Sequence, residues 1–150
     1  MRFLWFFAFL VASASCIDES ECTYDTVREV KISFINSDSL AADLLNIDSI
    51  VAEGVLDTVF YAAKSNISNI VLPLNSMDVR TSYLFYLKDP EIDFGIDFAY
   101  KSVPRVISEE CGVENEIRDL VIENYFNVDS VIVVSNIFLD EVEVNVKVYR

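Results

Sequence analysis

From about residue 27 onward the chain reads as short runs in which apolar and polar positions alternate. That period of two is the pattern of strands with one buried face. In residues 27–35, Val30, Ile32 and Phe34 fall on one side and Lys31 and Ser33 on the other. Residues 92–100 place Ile92, Phe94, Ile96, Phe98 and Tyr100 opposite Asp93, Gly95, Asp97 and Ala99. The last run sets Val142, Val144, Val146 and Val148 against Glu141, Glu143, Asn145 and Lys147, predicting a strand that buries the valines.

Other stretches break the alternation in informative ways. Residues 81–88 (TSYLFYLK) and 130–136 (SVIVVSN) are apolar on both sides, which predicts central strands covered on both faces. Residues 69–74 predict an edge or strand-end position, because Pro73 cannot donate to a ladder. Weaker strands are expected at 49–56, 58–64 and 103–108. Residues 117–126 fit a strand or a short helix. Leu40, Leu44 and Ile47 recur at helical spacing behind Ser37 or Asp38 as a cap, so 36–47 reads as a turn or two of helix or as a structured loop. Seven to nine strands without crossover helices predict an all-β fold over residues 27–150: an antiparallel β-sandwich of Ig-like or Greek-key type.

The first residues follow a different pattern. Arg2 precedes an unbroken apolar run at 3–12 (FLWFFAFLVA), and the small residues Ser13, Ala14 and Ser15 lead to Cys16. The run has the length of a secretion-signal core and falls short of the roughly 20 residues that span a bilayer. Ser13-Ala14-Ser15-Cys16 resembles a relaxed bacterial lipobox, with Ser13 where Leu or Val is usual. That resemblance implies a signal peptide at 1–15, lipidation of Cys16 and a tether at 16–26. The alternative is a plain secretory signal with an unrelated Cys16. Asp18, Glu19 and Glu21 crowd the tether and resemble the acidic surface-export signal of some Gram-negative lipoproteins.

Composition narrows the chemistry. The formal net charge of −14 opposes nucleic acid and opposes anionic membrane bound through a basic patch. There is no histidine, so Ser-His-Asp and Cys-His catalysis and imidazole metal ligation are excluded. Of the three cysteines, lipidation of Cys16 would leave Cys22 and Cys111 as an even pair in an oxidising compartment; the alternative is two free thiols. Closing so long a loop would stabilise the fold by about 4–5 kcal/mol.

Several features occur in a recognisable order: Cys16 and Cys22, then Ile70-Val71-Leu72-Pro73-Leu74, then Ser108-Glu109-Glu110-Cys111-Gly112, then Val146-Lys147-Val148-Tyr149. In that order they resemble a family of small lipoproteins of Gram-negative bacteria with no assigned activity. The resemblance implies a location and a fold, not a reaction.

Candidate chemistry is sparse. Asp89, Glu91 and Asp93 alternate around Pro90 at a spacing that can converge on Ca²⁺, but Phe94 stands where an EF-hand loop needs glycine, so a solvated acidic face is expected. Glu109, Glu110, Glu114 and Glu116 gather near Cys111 without the cleft aromatics of a glycosidase. Tyr83, Phe85, Tyr86, Phe94, Phe98 and Tyr100 offer aromatic surface for sugar stacking, but alternation assigns most of them to the core. The sequence therefore predicts a non-enzymatic protein without cofactor, lipid-anchored at the outer membrane and more favoured outside than on the periplasmic face. Its role would be binding or structural, with the membrane and a protein or glycan as partners. The alternative is a carbohydrate- or calcium-dependent accessory module of a cell-surface complex.

Overall fold

The computed structural model describes residues 28–53, 58–88, 90–109, 111–138 and 143–150. Nine strands carry the described chain, in order β1 (Glu29–Ile35), β2 (Leu45–Glu53), β3 (Thr58–Ile67), β4 (Asn69–Pro73), β5 (Arg80–Leu87), β6 (Phe94–Ser108), β7 (Gly112–Phe126), β8 (Ser130–Val133) and β9 (Val146–Tyr149). No described residue is helical. The fold is all-β, with a four-stranded sheet in the order β4-β1-β9-β8 and a five-stranded sheet in the order β3-β2-β5-β6-β7.

Alternation settles which side chains are buried. Val30, Ile32 and Phe34 of β1 are buried, as are Phe94, Ile96, Phe98 and Tyr100 of β6. The two sheets share one core. Phe34 of the first sheet meets Phe85 and Phe94 of the second edge-on, each with ring centroids 6.0 Å apart, and Phe85 stacks on Phe94 at 4.4 Å. Each such ring pair contributes about 0.5–1.5 kcal/mol beyond area burial. The expected edge position of residues 69–74 is found in β4, and β5 is the middle strand of its sheet.

Several expectations are corrected. The sheets are not wholly antiparallel, because β1 and β9 pair in parallel with Ile32 opposite Val146 and Phe34 opposite Val148. No crossover helix is needed, since nearly the whole domain lies between the two strands. Residues 36–44 form the structured loop, not helix: Asn36 Oδ1 accepts from Ser39 N at 2.9 Å and Leu40 N donates to Asn36 O at 2.9 Å. Leu40 takes a left-handed φ of 56° and is 71% exposed, so its helical spacing reflects no buried face. Residues 117–126 are strand, within β7. The apolar run at 130–136 is not covered on both sides: β8 is an edge strand that leaves Ile132 and Val134 half exposed. Ile92 is exposed because β6 begins only at Phe94.

The end of the chain is the sharpest correction. β9 covers four residues, with Val146 and Val148 buried, while Val144 is only half buried and Val142 lies outside the described residues. Asn145, expected outside, is 1% exposed. Its Oδ1 accepts from Lys31 N at 3.0 Å, and its Nδ2 donates to Ser135 O at 3.3 Å and Ile137 O at 2.8 Å. Its backbone N–H donates to Lys31 O, and its carbonyl accepts from Val134 N. A buried amide this fully used acts as a cross-brace between β1, β9 and the segment following β8.

Candidate functional site

Among the described residues, Glu114 lies by the Arg28 end of β1 and Glu91 by its Ile35 end. Cys16, Cys22, Asp18, Glu19 and Glu21 lie outside the described residues, as do Asp89 and Glu110. Cys111 sits in the turn between β6 and β7, where its N–H donates to Ser108 Oγ at 3.0 Å, and it is disulfide-bonded. The two other cysteines of the chain, Cys16 and Cys22, are both outside the described residues.

Near that turn the carboxylates serve separate purposes. Glu114 is buried, with Oε2 4.0 Å from Arg28 Nη2 at the start of β1. Asn115 and Ser102 both donate to the carbonyl of Ser76, fastening the loop between β4 and β5 onto the β6–β7 hairpin. Glu116 pairs instead with Arg118 at 2.7 Å, a hydrogen bond that holds its carboxyl below the usual range. Deeper in, the Tyr100 hydroxyl lies 2.5 Å from Thr81 Oγ1 and donates to Asn75 O at 2.9 Å; burial pushes its pKa above the ordinary value.

The aromatic set is core. Tyr83, Phe85, Phe94, Phe98 and Tyr100 are buried and only Tyr86 reaches the surface, at 39% exposure, so these rings form no sugar-stacking platform. In the described part of the acidic stretch, Asp93 and Glu91 have partners within the fold. Asp93 Oδ1 accepts from Leu87 N at 2.7 Å and its carbonyl accepts from Asn127 Nδ2 at 2.8 Å, so it closes a turn. Glu91 Oε1 accepts from Asn46 Nδ2 at 3.2 Å, and its Oε2 faces Arg150. Among the described residues no group of three metal-ligating side chains forms.

What the sequence did not disclose is a loop cluster at the far end of β1 from Arg28. Arg150 follows β9 and is pinned by its backbone, donating to Ile35 O at 3.1 Å and accepting from Ser37 N at 2.8 Å. Its guanidinium lies over the Phe94 ring, 5.2 Å from the centroid, a favourable cation–π placement. Nε is 3.8 Å from Asp43 Oδ2 and Nη1 is 3.8 Å from Glu91 Oε2. Those distances give Coulombic attraction but no hydrogen bond. Asp129 joins the cluster through its N–H, which donates to Tyr149 O at 2.8 Å, and through Oδ2, which accepts from Ser37 Oγ at 2.5 Å. Arg150, Glu91 and Asp129 line a depression of about 510 Å³ together with Pro90, Ile92, Asn127 and Val128. That volume falls within the range of small-ligand sites. Comparison of the chain with protein-family models, with curated proteins and with solved structures gave no match.

Proposed function

We propose that the protein is a lipid-anchored β-sandwich of Ig-like or Greek-key type, held at the Gram-negative outer membrane and serving a binding role without catalysis. The observation that carries the reading is the apolar run at 3–12 ending in Ser13-Ala14-Ser15-Cys16. Two sheets with one shared core support the sandwich form. A thiol in a thioether to diacylglycerol cannot also be half of a disulfide. With Cys16 carrying lipid, this reading leaves Cys22 as the cysteine to pair with Cys111. The proximity of Arg28 to Glu114 supports that pairing, since Arg28 lies six positions after Cys22 and Glu114 three positions after Cys111. Several acyl chains hold such a domain stably where one would not.

In this reading the anchor precedes Arg28, and the depression around Arg150 lies by the other end of β1. The acidic tether residues Asp18, Glu19 and Glu21 favour an outside-facing domain over a periplasmic one. The test is fractionation with a labelled fatty acid. The wild type is expected in the membrane fraction, labelled, and Cys16→Ala in the soluble fraction, unlabelled, with its Cys22–Cys111 bridge intact by intact mass. Membrane retention of Cys16→Ala together with an unlabelled wild type overturns the reading.

A further inference from the structure

Arg150 carries five N–H donors and its side chain is 16% exposed, yet among the described residues none of those donors reaches an acceptor within hydrogen-bonding distance. Nη1 is fully buried and has no hydrogen-bond partner. Its two nearest carboxylates stand off at 3.8 Å. They are held there by other duties. Glu91 gives Oε1 to Asn46, and the N–H of Asp43 donates to Phe34 O at 2.9 Å. A guanidinium placed over Phe94, with a depression beside it, is arranged for a planar pair of oxygens such as a carboxylate.

The charges around it decide the rest. A simple anion would meet Arg150 but be repelled by Asp43, Glu91 and Asp129 in a chain of net charge −14. A simple cation would be attracted by those carboxylates but repelled by the guanidinium at their centre. A ligand with both signs on neighbouring atoms satisfies both. Glu91 Oε2 and the second oxygen of Asp129, whose Oδ2 holds Ser37, are the acceptors for its positive end. Pro90, Ile92 and Val128 supply apolar wall for whatever side chain it bears. We propose that the depression around Arg150 binds a small zwitterion, a free α-amino acid, with its carboxylate on Arg150 and its ammonium on Glu91 and Asp129. This rests on reading the protein as a binding module and names the ligand class of that module.

The test is calorimetric titration of the full chain with a panel of free amino acids, with acetate, methylamine and glucose as single-feature probes. At least one amino acid is expected to bind, with acetate and methylamine each at least about tenfold weaker, because each forfeits one charge-assisted contact. Arg150→Gln should abolish binding of the amino acid. Glu91→Gln should weaken the amino acid yet tighten acetate, a change of sign that loss of packing does not produce. If Arg150→Gln fails to fold by thermal melt, Glu91→Gln decides alone. Parallel weakening of both probes by Glu91→Gln overturns the proposal, as does a panel in which no amino acid binds. Glucose binding in place of amino acids overturns the zwitterion while leaving a binding module, and the membrane-fraction experiment bears on the anchor separately.

Discussion

Replacing Asn145 with leucine keeps the branching of the side chain at Cγ and removes its polarity. The side chain makes three hydrogen bonds, accepting from Lys31 N and donating to the carbonyls of Ser135 and Ile137, at 1% exposure. Each is worth about 1 kcal/mol net, so the bonds alone amount to about 3 kcal/mol, and desolvated backbone groups that lose this partner add to the cost. Against a total stability of about 5–15 kcal/mol that is a large fraction. For a chain of this length it lowers the melting temperature by roughly 6–12 °C. Urea denaturation of the full chain, followed by circular dichroism, measures it. Asn145→Asp sharpens the test. It keeps an acceptor for Lys31 but turns the donor end into a carboxyl facing two carbonyl oxygens, which raises its folded pKa. The protonated acid still donates, so the stability of this variant is fully present below about pH 3.9, the unfolded value, and is lost as pH rises through the folded pKa. A loss under about 1 kcal/mol for Asn145→Leu, or no pH dependence specific to Asn145→Asp, refutes the cross-brace.

Val146 is fully buried on β9, so Val146→Asp buries an unpaired charge and should prevent folding, whereas Glu143→Gln at an exposed position should change the urea midpoint little; equal tolerance refutes the burial pattern. Burial raises the pKa of Tyr100, so its contribution to stability is complete below about pH 10 and is lost as pH rises through the folded value. Tyr100→Phe should therefore remove part of the alkaline destabilisation seen in pH-dependent melts, and an unchanged alkaline slope argues against it.

The strands were legible where one face is wet. Val30, Ile32 and Phe34, and Phe94 through Tyr100, alternate because their strands have one side on the core, and periodicity reports that directly. It misled where burial came from elsewhere. Asn145 follows the outward phase of its neighbours, but it lies where the chain bends into β9 and the segment after β8 folds over it, which no local pattern records. The apolar residues 131–134 suggested a central strand, but hydrogen-bonded neighbours and not composition decide which strand is an edge. The signal-like start, the tether acids and Cys22 were read from local motifs and lie outside the described residues. The Arg150 depression was illegible for a different reason. Asp43, Glu91, Asp129 and Arg150 come from four separate parts of the chain, each unremarkable in its own context, and only the closure of two sheets brings them together.

The parallel pairing of β1 with β9 also sets an order of events in folding. In the five-stranded sheet, β2 with β3, β5 with β6, and β6 with β7 are neighbours along the chain, so most of that sheet closes over short loops. The four-stranded sheet has no such freedom. Its central pair joins residues 32–35 to residues 146–149, and the entropy of closing that span is met only once both ends are present. Until β9 arrives, β8 has no partner in its sheet and β1 can pair only with β4, so only half of the four-stranded sheet can form. β9 is thus the latch of that sheet. Folding should be slow and strongly cooperative, with the four-stranded sheet completed only when residues 146–149 join it.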